Sequence, residues 1–190
     1  MVRRALILHG TDGSPSHSWL PWMKDSLKAR GYEVWVPELP ENHTPSRDVY
    51  DAYLRASDWN FADNLVIGHS SGATTALNLL SSDWFPRVRA AVLVGTFLNE
   101  SLLEGASWYS PGQFDHLFPQ EGFDFSLIRQ RAEAFYFFHG SDDPYCSLDD
   151  ASRAAVALGA AMTVIPGGKH LSSNVTAIPE LLSVLDASGL

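Results

Sequence analysis

Gly68-His69-Ser70-Ser71-Gly72 sets a hydroxyl between two glycines at the spacing G-x-S-x-G. The segment before it, Asn64 to Ile67, reads as a strand, and about Ser71 to Ser81 reads as a helix. A side chain on so sharp a strand-to-helix turn is held in a strained backbone conformation. Glycines two residues to either side let neighbouring chain come close. The turn lifts the Ser70 hydroxyl clear of the strand and places it at a helix N-terminus. There the backbone N–H of Ser71 faces any negative charge that develops on a carbonyl oxygen under attack. The chemistry would be nucleophilic attack on an acyl carbon. The competing reading is an ordinary helix cap. Ser71 is the poorer nucleophile, because no glycine pair brackets it at the same spacing.

A hydroxyl is a weak nucleophile, so this reading requires a base and a group that orients the base. In a sheet of parallel strands such groups lie past the carboxyl ends of the strands. The segment Ala134 to Phe138 reads as a strand and is followed by His139-Gly140-Ser141-Asp142-Asp143-Pro144. Met162 to Ile165 reads as the next strand and is followed by Pro166-Gly167-Gly168-Lys169-His170. Asp143, directly before the turn-forming Pro144, is the favoured carboxylate, and Asp142 is left to satisfy turn N–H groups. His170 is the expected base. The order Ser, Asp, His is that of an α/β-hydrolase. A second oxyanion donor should come from the loop after the first strand, His9-Gly10-Thr11-Asp12-Gly13, with the N–H of Thr11 preferred and that of Asp12 as the alternative. His9 reads as structural. His69 and His139 flank the motifs and line or brace the site without an assigned chemical role. His17, His43 and His116 sit in segments expected to be exposed and remote from the chemistry.

These residues need a scaffold that gathers them. Ala5 to Leu8, Glu33 to Val36, and Ala90 to Val94 complete a set of six short apolar runs. They alternate with amphipathic segments at about 19–30, 46–57, 71–81, 148–158 and 174–186. Several runs are apolar on both faces, which predicts a parallel sheet covered by helices on both sides, a three-layer α/β fold. With 190 residues, 45% of them hydrophobic, one domain is expected. The long irregular piece at about 97–125 carries Phe97, Trp108, Tyr109, Phe114, Phe118, Phe123 and Phe125. It is either a short lid lining the substrate or a loop packed on its own aromatics.

Composition excludes several classes of function. The net charge of −9 disfavours nucleic acid. No apolar run approaches the length of a membrane span, and no segment reads as a signal peptide. A single cysteine, Cys146, fits a cytoplasmic setting. Neither phosphate-cradling nor metal-ligand spacing is present, so no cofactor and no metal is expected.

Together with GHSSGA and GSDDPY, the stretch HGTDGSPSHSWLPWMKDSLKARGYEVWVPELP resembles the small serine hydrolases typified by retinoblastoma-binding protein 9. The matching features are the turn after the first strand, the helix start bearing Trp19 and Trp22, and the strand that ends in Pro37 and Pro40. The resemblance implies a compact α/β-hydrolase fold with no large cap domain. It makes Ser70, Asp143 and His170 the nucleophile, acid and base. The L-x-C-x-E segment associated with retinoblastoma-protein binding is missing, so that role does not carry over. The expected function is hydrolysis of a small-molecule ester or related acyl substrate. Trp19, Trp22 and Trp108 are candidates for an apolar acyl pocket. A non-catalytic binding protein on the same scaffold is the alternative.

Overall fold

The computed structural model describes residues 2–173 and 175–190. Among them, six strands form one sheet: β1 (Arg3–Leu8), β2 (Tyr32–Trp35), β3 (Leu65–His69), β4 (Val88–Val94), β5 (Ala132–Gly140) and β6 (Ala161–Ile165). All pairings are parallel, in the order β2-β1-β3-β4-β5-β6. The helices are α1 (Leu20–Ala29), α2 (Arg47–Arg55), α3 (Ser71–Ser81), α4 (Phe125–Ile128), α5 (Leu148–Leu158) and α6 (Pro179–Ala187).

Strand side chains alternate between two cores, because successive residues of a strand point to opposite faces. Ala5 and Ile7 of β1, Leu65 and Ile67 of β3, and Val92 and Val94 of β4 pack with Leu20, Met23 and Leu27 of α1 and Leu181 and Leu185 of α6. Leu6, Leu8, Val66, Ala91 and Leu93 face the other way, onto α2, α3 and α5. Burial on both faces is why these strands read as unbroken apolar runs. The helix starts follow local chemistry. Ser46 caps α2 through the Val49 N–H, and Ser147 caps α5 through the Asp150 N–H at 3.2 Å. Asp149 and Asp150 add negative charge to the first turn of α5.

Some boundaries differ from the sequence expectation. β3 continues through Gly68 and His69, which pair with Leu93 and Val94, and β5 continues to Gly140. Strand pairing is a backbone interaction, so a polar or glycine residue need not end it. The expected start of the last helix falls on Asn174, outside the described residues. α6 begins at Pro179, whose fixed φ and missing N–H suit a first helical position.

Residues 97–124 run through turns with no long element. Phe97, Leu103, Phe114, Leu117 and Cys146 form a separate small core, with Trp108, Tyr109, Phe118 and Tyr145 packed around it. Phe123 and Phe125 instead join the α3 side of the main core. Asn78 Nδ2 donates to the Leu117 carbonyl at 2.8 Å, and the Arg47 N–H donates to the His116 carbonyl at 2.8 Å. These bonds tie the segment to α3 and α2.

The crossing of α3 over β1 depends on Gly72. A Cβ there would lie 2.5 Å from the His9 carbonyl oxygen and nearer still to that of Leu8, both of them backbone atoms that cannot rotate away. Gly72→Ala is expected to lower the free energy of unfolding by roughly 3 kcal/mol, the upper range for overpacking. Urea denaturation checks this, and an unchanged midpoint would show that α3 can slide off β1.

Candidate active site

From β1 the chain goes to β2 on one side and later returns as β3 on the other. The carboxyl ends of β1 and β3 therefore form the topological switch point of the sheet, where loops leave in opposite directions and open a crevice. A cleft of about 170 Å³ lies there, lined by the loop after β1, by Ser70 after β3 and by His170. Ser70 has φ 56° and ψ −125°, a conformation that L residues avoid, and its side chain makes no capping hydrogen bond to α3. That removes the helix-cap reading. Its N–H donates to the Val94 carbonyl at 2.9 Å, which anchors the turn to β4.

His170 follows β6 in a loop whose flanking residues, Lys169 and Leu171, have φ of 49° and 50°. Its Nδ1–H donates to Asp143 Oδ2 at 2.8 Å. The Asp143 carboxylate is fully buried, and its Oδ1 accepts the N–H groups of Tyr145 and Cys146 at 2.9 and 3.0 Å. Burial pushes this carboxyl up. The hydrogen bond and charge of His170, with those two N–H groups, outweigh burial and hold the pKa below the ordinary 3.8. Asp142 is exposed and accepts the Lys169 N–H at 2.8 Å, so the two neighbouring aspartates divide between site and turn.

The carbonyls of the His170 loop are held from beneath. His69 Nε2–H donates to the His170 carbonyl, and Trp19 Nε1–H donates to that of Leu171, each at 2.9 Å. The Trp19 ring lies edge-on to His69 with centroids 5.9 Å apart. This corrects the assignment of Trp19 and Trp22 to an acyl pocket. Trp19 is completely buried, Trp22 packs on the α1 side of the core, and neither lines the cleft. A helix of this kind turns its aromatics toward the sheet, and the indole is used as a donor. Trp108 does line the cleft, with Phe97, Phe114 and Tyr145.

On the β1 side, the Gly10 carbonyl accepts from His9 Nδ1 at 2.9 Å and from the Gly13 N–H at 3.0 Å. His9 Nε2 accepts the Leu39 N–H at 3.0 Å, so both ring nitrogens are used and the imidazole is neutral. Burial also pulls its pKa down. The Gly10–Thr11 peptide is pinned by its oxygen, which aims the Thr11 N–H the opposite way. Among the described residues, no acceptor takes the N–H of Thr11 or of Ser71, whereas that of Asp12 reaches the Asn42 carbonyl at 3.4 Å.

His17 was expected to be remote, yet it lines the cleft, as do Ser172 and Ser173. The signal available was positional: every loop leaving a strand of this sheet for a helix starts at the same edge. His139 is buried, with Nδ1 donating to the Gly140 carbonyl at 2.9 Å and Nε2 4.0 Å from Asp143 Oδ2. Asp143, Cys146 and His170 bring three potential ligand atoms within 4.8 Å of one another. Hydrogen bonding accounts for them better than a metal does. The His170 bond occupies Asp143, and burial, with the nearby Asp143 charge, pushes the Cys146 thiol well up. That thiol donates to the Gly95 carbonyl at 3.3 Å. No helix among the described residues is long and apolar enough to cross a membrane.

A family model described as serine hydrolase matches residues 5–186. YdeN of Bacillus subtilis (strain 168) is 22% identical over 97% of this chain and 95% of its own length. The serine hydrolase RBBP9 of Rattus norvegicus is 22% identical over 96% of this chain and 93% of its own. The crystal structure of the B. subtilis ydeN gene product superposes with a TM-score of 0.86 at 20% identity, covering 98% of each chain. The carboxylesterase CesB of B. subtilis gives 0.66 at 15% identity, covering 98% of this chain and 83% of the other. The fold shared with these structures is that of the α/β-hydrolases, and the described residues include no large cap domain.

Burial, reinforced by the neighbouring His170, pulls the His69 pKa from 6.5 to about 3. The folded chain refuses a proton that the unfolded chain takes up. The stabilisation is complete above about pH 6.5 and falls by about 1.4 kcal/mol per pH unit between there and about pH 3. Denaturation midpoints should therefore fall from pH 7 to pH 5, and fall less in His69→Gln. Equal pH slopes in the two proteins would show that His69 is not held neutral.

Proposed function

Because the chain belongs to the serine hydrolase family, we propose that it hydrolyses carboxylic esters, or related acyl compounds, through an acyl-enzyme intermediate. The observation that carries this reading is His170, bonded to the buried Asp143 carboxylate through Nδ1 and lining the same cleft as Ser70. With Nδ1 committed, Nε2 is left to take a proton.

In this reading Ser70 Oγ attacks the acyl carbon as its proton passes to His170 Nε2. The carbonyl oxygen becomes an oxyanion that the N–H groups of Thr11 and Ser71 receive. The C–O bond to the leaving alcohol breaks as His170 returns the proton to that oxygen. Water repeats the sequence on the Ser70 ester and frees the carboxylic acid. Asp143 stays ionised and fixes the imidazole tautomer. No cofactor or metal is required for any of these steps.

The cleft supports small acyl groups, since an apolar cavity of about 150 Å³ holds a molecule the size of benzene. Phe97, Trp108, Phe114 and Tyr145 give it one aromatic wall, and we assign the acyl chain to that side. CesB, a structural neighbour, is itself a carboxylesterase, which agrees with this substrate class. The lone cysteine is a free thiol in a buried position, which supports a reducing, cytoplasmic setting.

Ser70→Ala should reduce p-nitrophenyl ester hydrolysis by at least about a hundredfold with the fold intact by circular dichroism. A fluorophosphonate probe should label the native protein and not this variant. Activity in Ser70→Ala would rule out the nucleophile, and an unlabelled native protein would favour a binding module on a hydrolase scaffold. Asp143→Asn should lose far more activity than Asp142→Asn, and equal small losses would rule out both as the orienting acid.

A further inference from the structure

The two groups assigned to the oxyanion come from separate parts of the chain. Ser71 opens α3 and is 1% exposed, whereas Thr11 sits in a half-buried loop beyond β1. Hydrogen bonds to a developing charge weaken steeply with misplacement, so the spacing of two such donors has to be fixed before the substrate arrives. A side-chain bond supplies this fixing. Thr11 Oγ1–H donates to Ser71 Oγ at 2.9 Å, across 60 positions of sequence.

We propose that this hydroxyl pair is a positioning clasp that sets the distance between the Thr11 and Ser71 N–H groups; the inference rests on the hydrolase reading above. The two ends of the clasp belong to the same residues whose N–H groups lack acceptors. The Ser71 end is rigid. Its carbonyl accepts from Thr75 Oγ1 at 2.8 Å, and the helix holds its backbone. Thr11 is the end that needs holding, and the loop beside it turns through Asp12 at φ 53°. Pinning of the Gly10 carbonyl sets the direction of the Thr11 N–H, and the clasp sets how far that N–H stands from α3. A threonine suits this task, because its branched Cβ restricts χ1 and keeps the hydroxyl aimed.

The oxyanion exists only in the transition state and the tetrahedral intermediate. Loss of the clasp therefore acts on kcat and leaves KM nearly unchanged. Thr11→Val removes the hydroxyl and keeps the branched shape, and Thr11→Ser keeps the hydroxyl. In full-length protein with a p-nitrophenyl ester, Thr11→Val should lose about tenfold in kcat with KM within about twofold, and Thr11→Ser should recover most of it. Ser71→Ala should match Thr11→Val, and the double variant should be no worse than either single one, because both remove one bond. A boronic acid, which forms a tetrahedral adduct, should bind Thr11→Val more weakly in the same ratio as kcat. Undiminished kcat in Thr11→Val, or additive losses in the double variant, would overturn the clasp while an inactive Ser70→Ala upholds the nucleophile. Full activity in Ser70→Ala would overturn both.

Discussion

Everything at the site depends on one backbone constraint, the turn at Ser70. An L residue at φ 56° and ψ −125° is unfavourable by about 1–3 kcal/mol and persists only where its surroundings over-determine it. Those surroundings are β4, which accepts the Ser70 N–H, and the close approach of α3 to β3 at Gly68 and to β1 at Gly72. The same packing brings the loop after β1 beside the start of α3. Ser70 and the N–H groups of Thr11 and Ser71 are thus gathered by the packing of one helix on the sheet, not by three separate loops.

His170 is placed by further contacts. Its loop runs through two left-handed residues, and strain of that kind has to be offset by contacts. Two buried rings, His69 and Trp19, donate to successive carbonyls, and the Asp143 carboxylate takes the imidazole from the other side. His69 immediately precedes Ser70, and Trp19 stands at the start of α1. The loop bearing His170 is therefore tied through His69 to the turn that carries Ser70, and through Trp19 to the start of α1.

Much of this was legible in the sequence because it is written in local rules. Apolar runs of four or five residues between helical segments give the parallel sheet, and Ser46 announces the start of α2 through capping. Glycines at fixed offsets from Ser70 report a close approach that only glycine permits. Asp143 was singled out because it stands directly before the turn-forming Pro144, and it is Asp143 that bonds His170 while Asp142 accepts a turn N–H. What was not legible depends on which face a side chain takes once helices dock. Nothing local tells an indole that donates to a loop carbonyl from one that lines a pocket, so Trp19 and Trp22 were misplaced. His17 was missed for the converse reason: an exposed loop histidine has no periodicity, and only the closing of the β1 side over the switch point brings it to the cleft. The aromatics of residues 97–125 divide between the small core beside the cleft and the main core under α3, a division set by tertiary packing and not by local pattern.

The anchorage of Asp143 has an evolutionary consequence. Its Oδ1 is gripped by main-chain amides of Tyr145 and Cys146, groups that every residue except proline possesses. Side-chain identity at these two sites is therefore decoupled from the placing of Asp143. Tyr145 projects onto the cleft wall, so a lineage can exchange it to suit a new substrate contour while the charge behind the imidazole stays where it is. A scaffold wired in this way can diversify its chemistry of recognition without rebuilding its machinery.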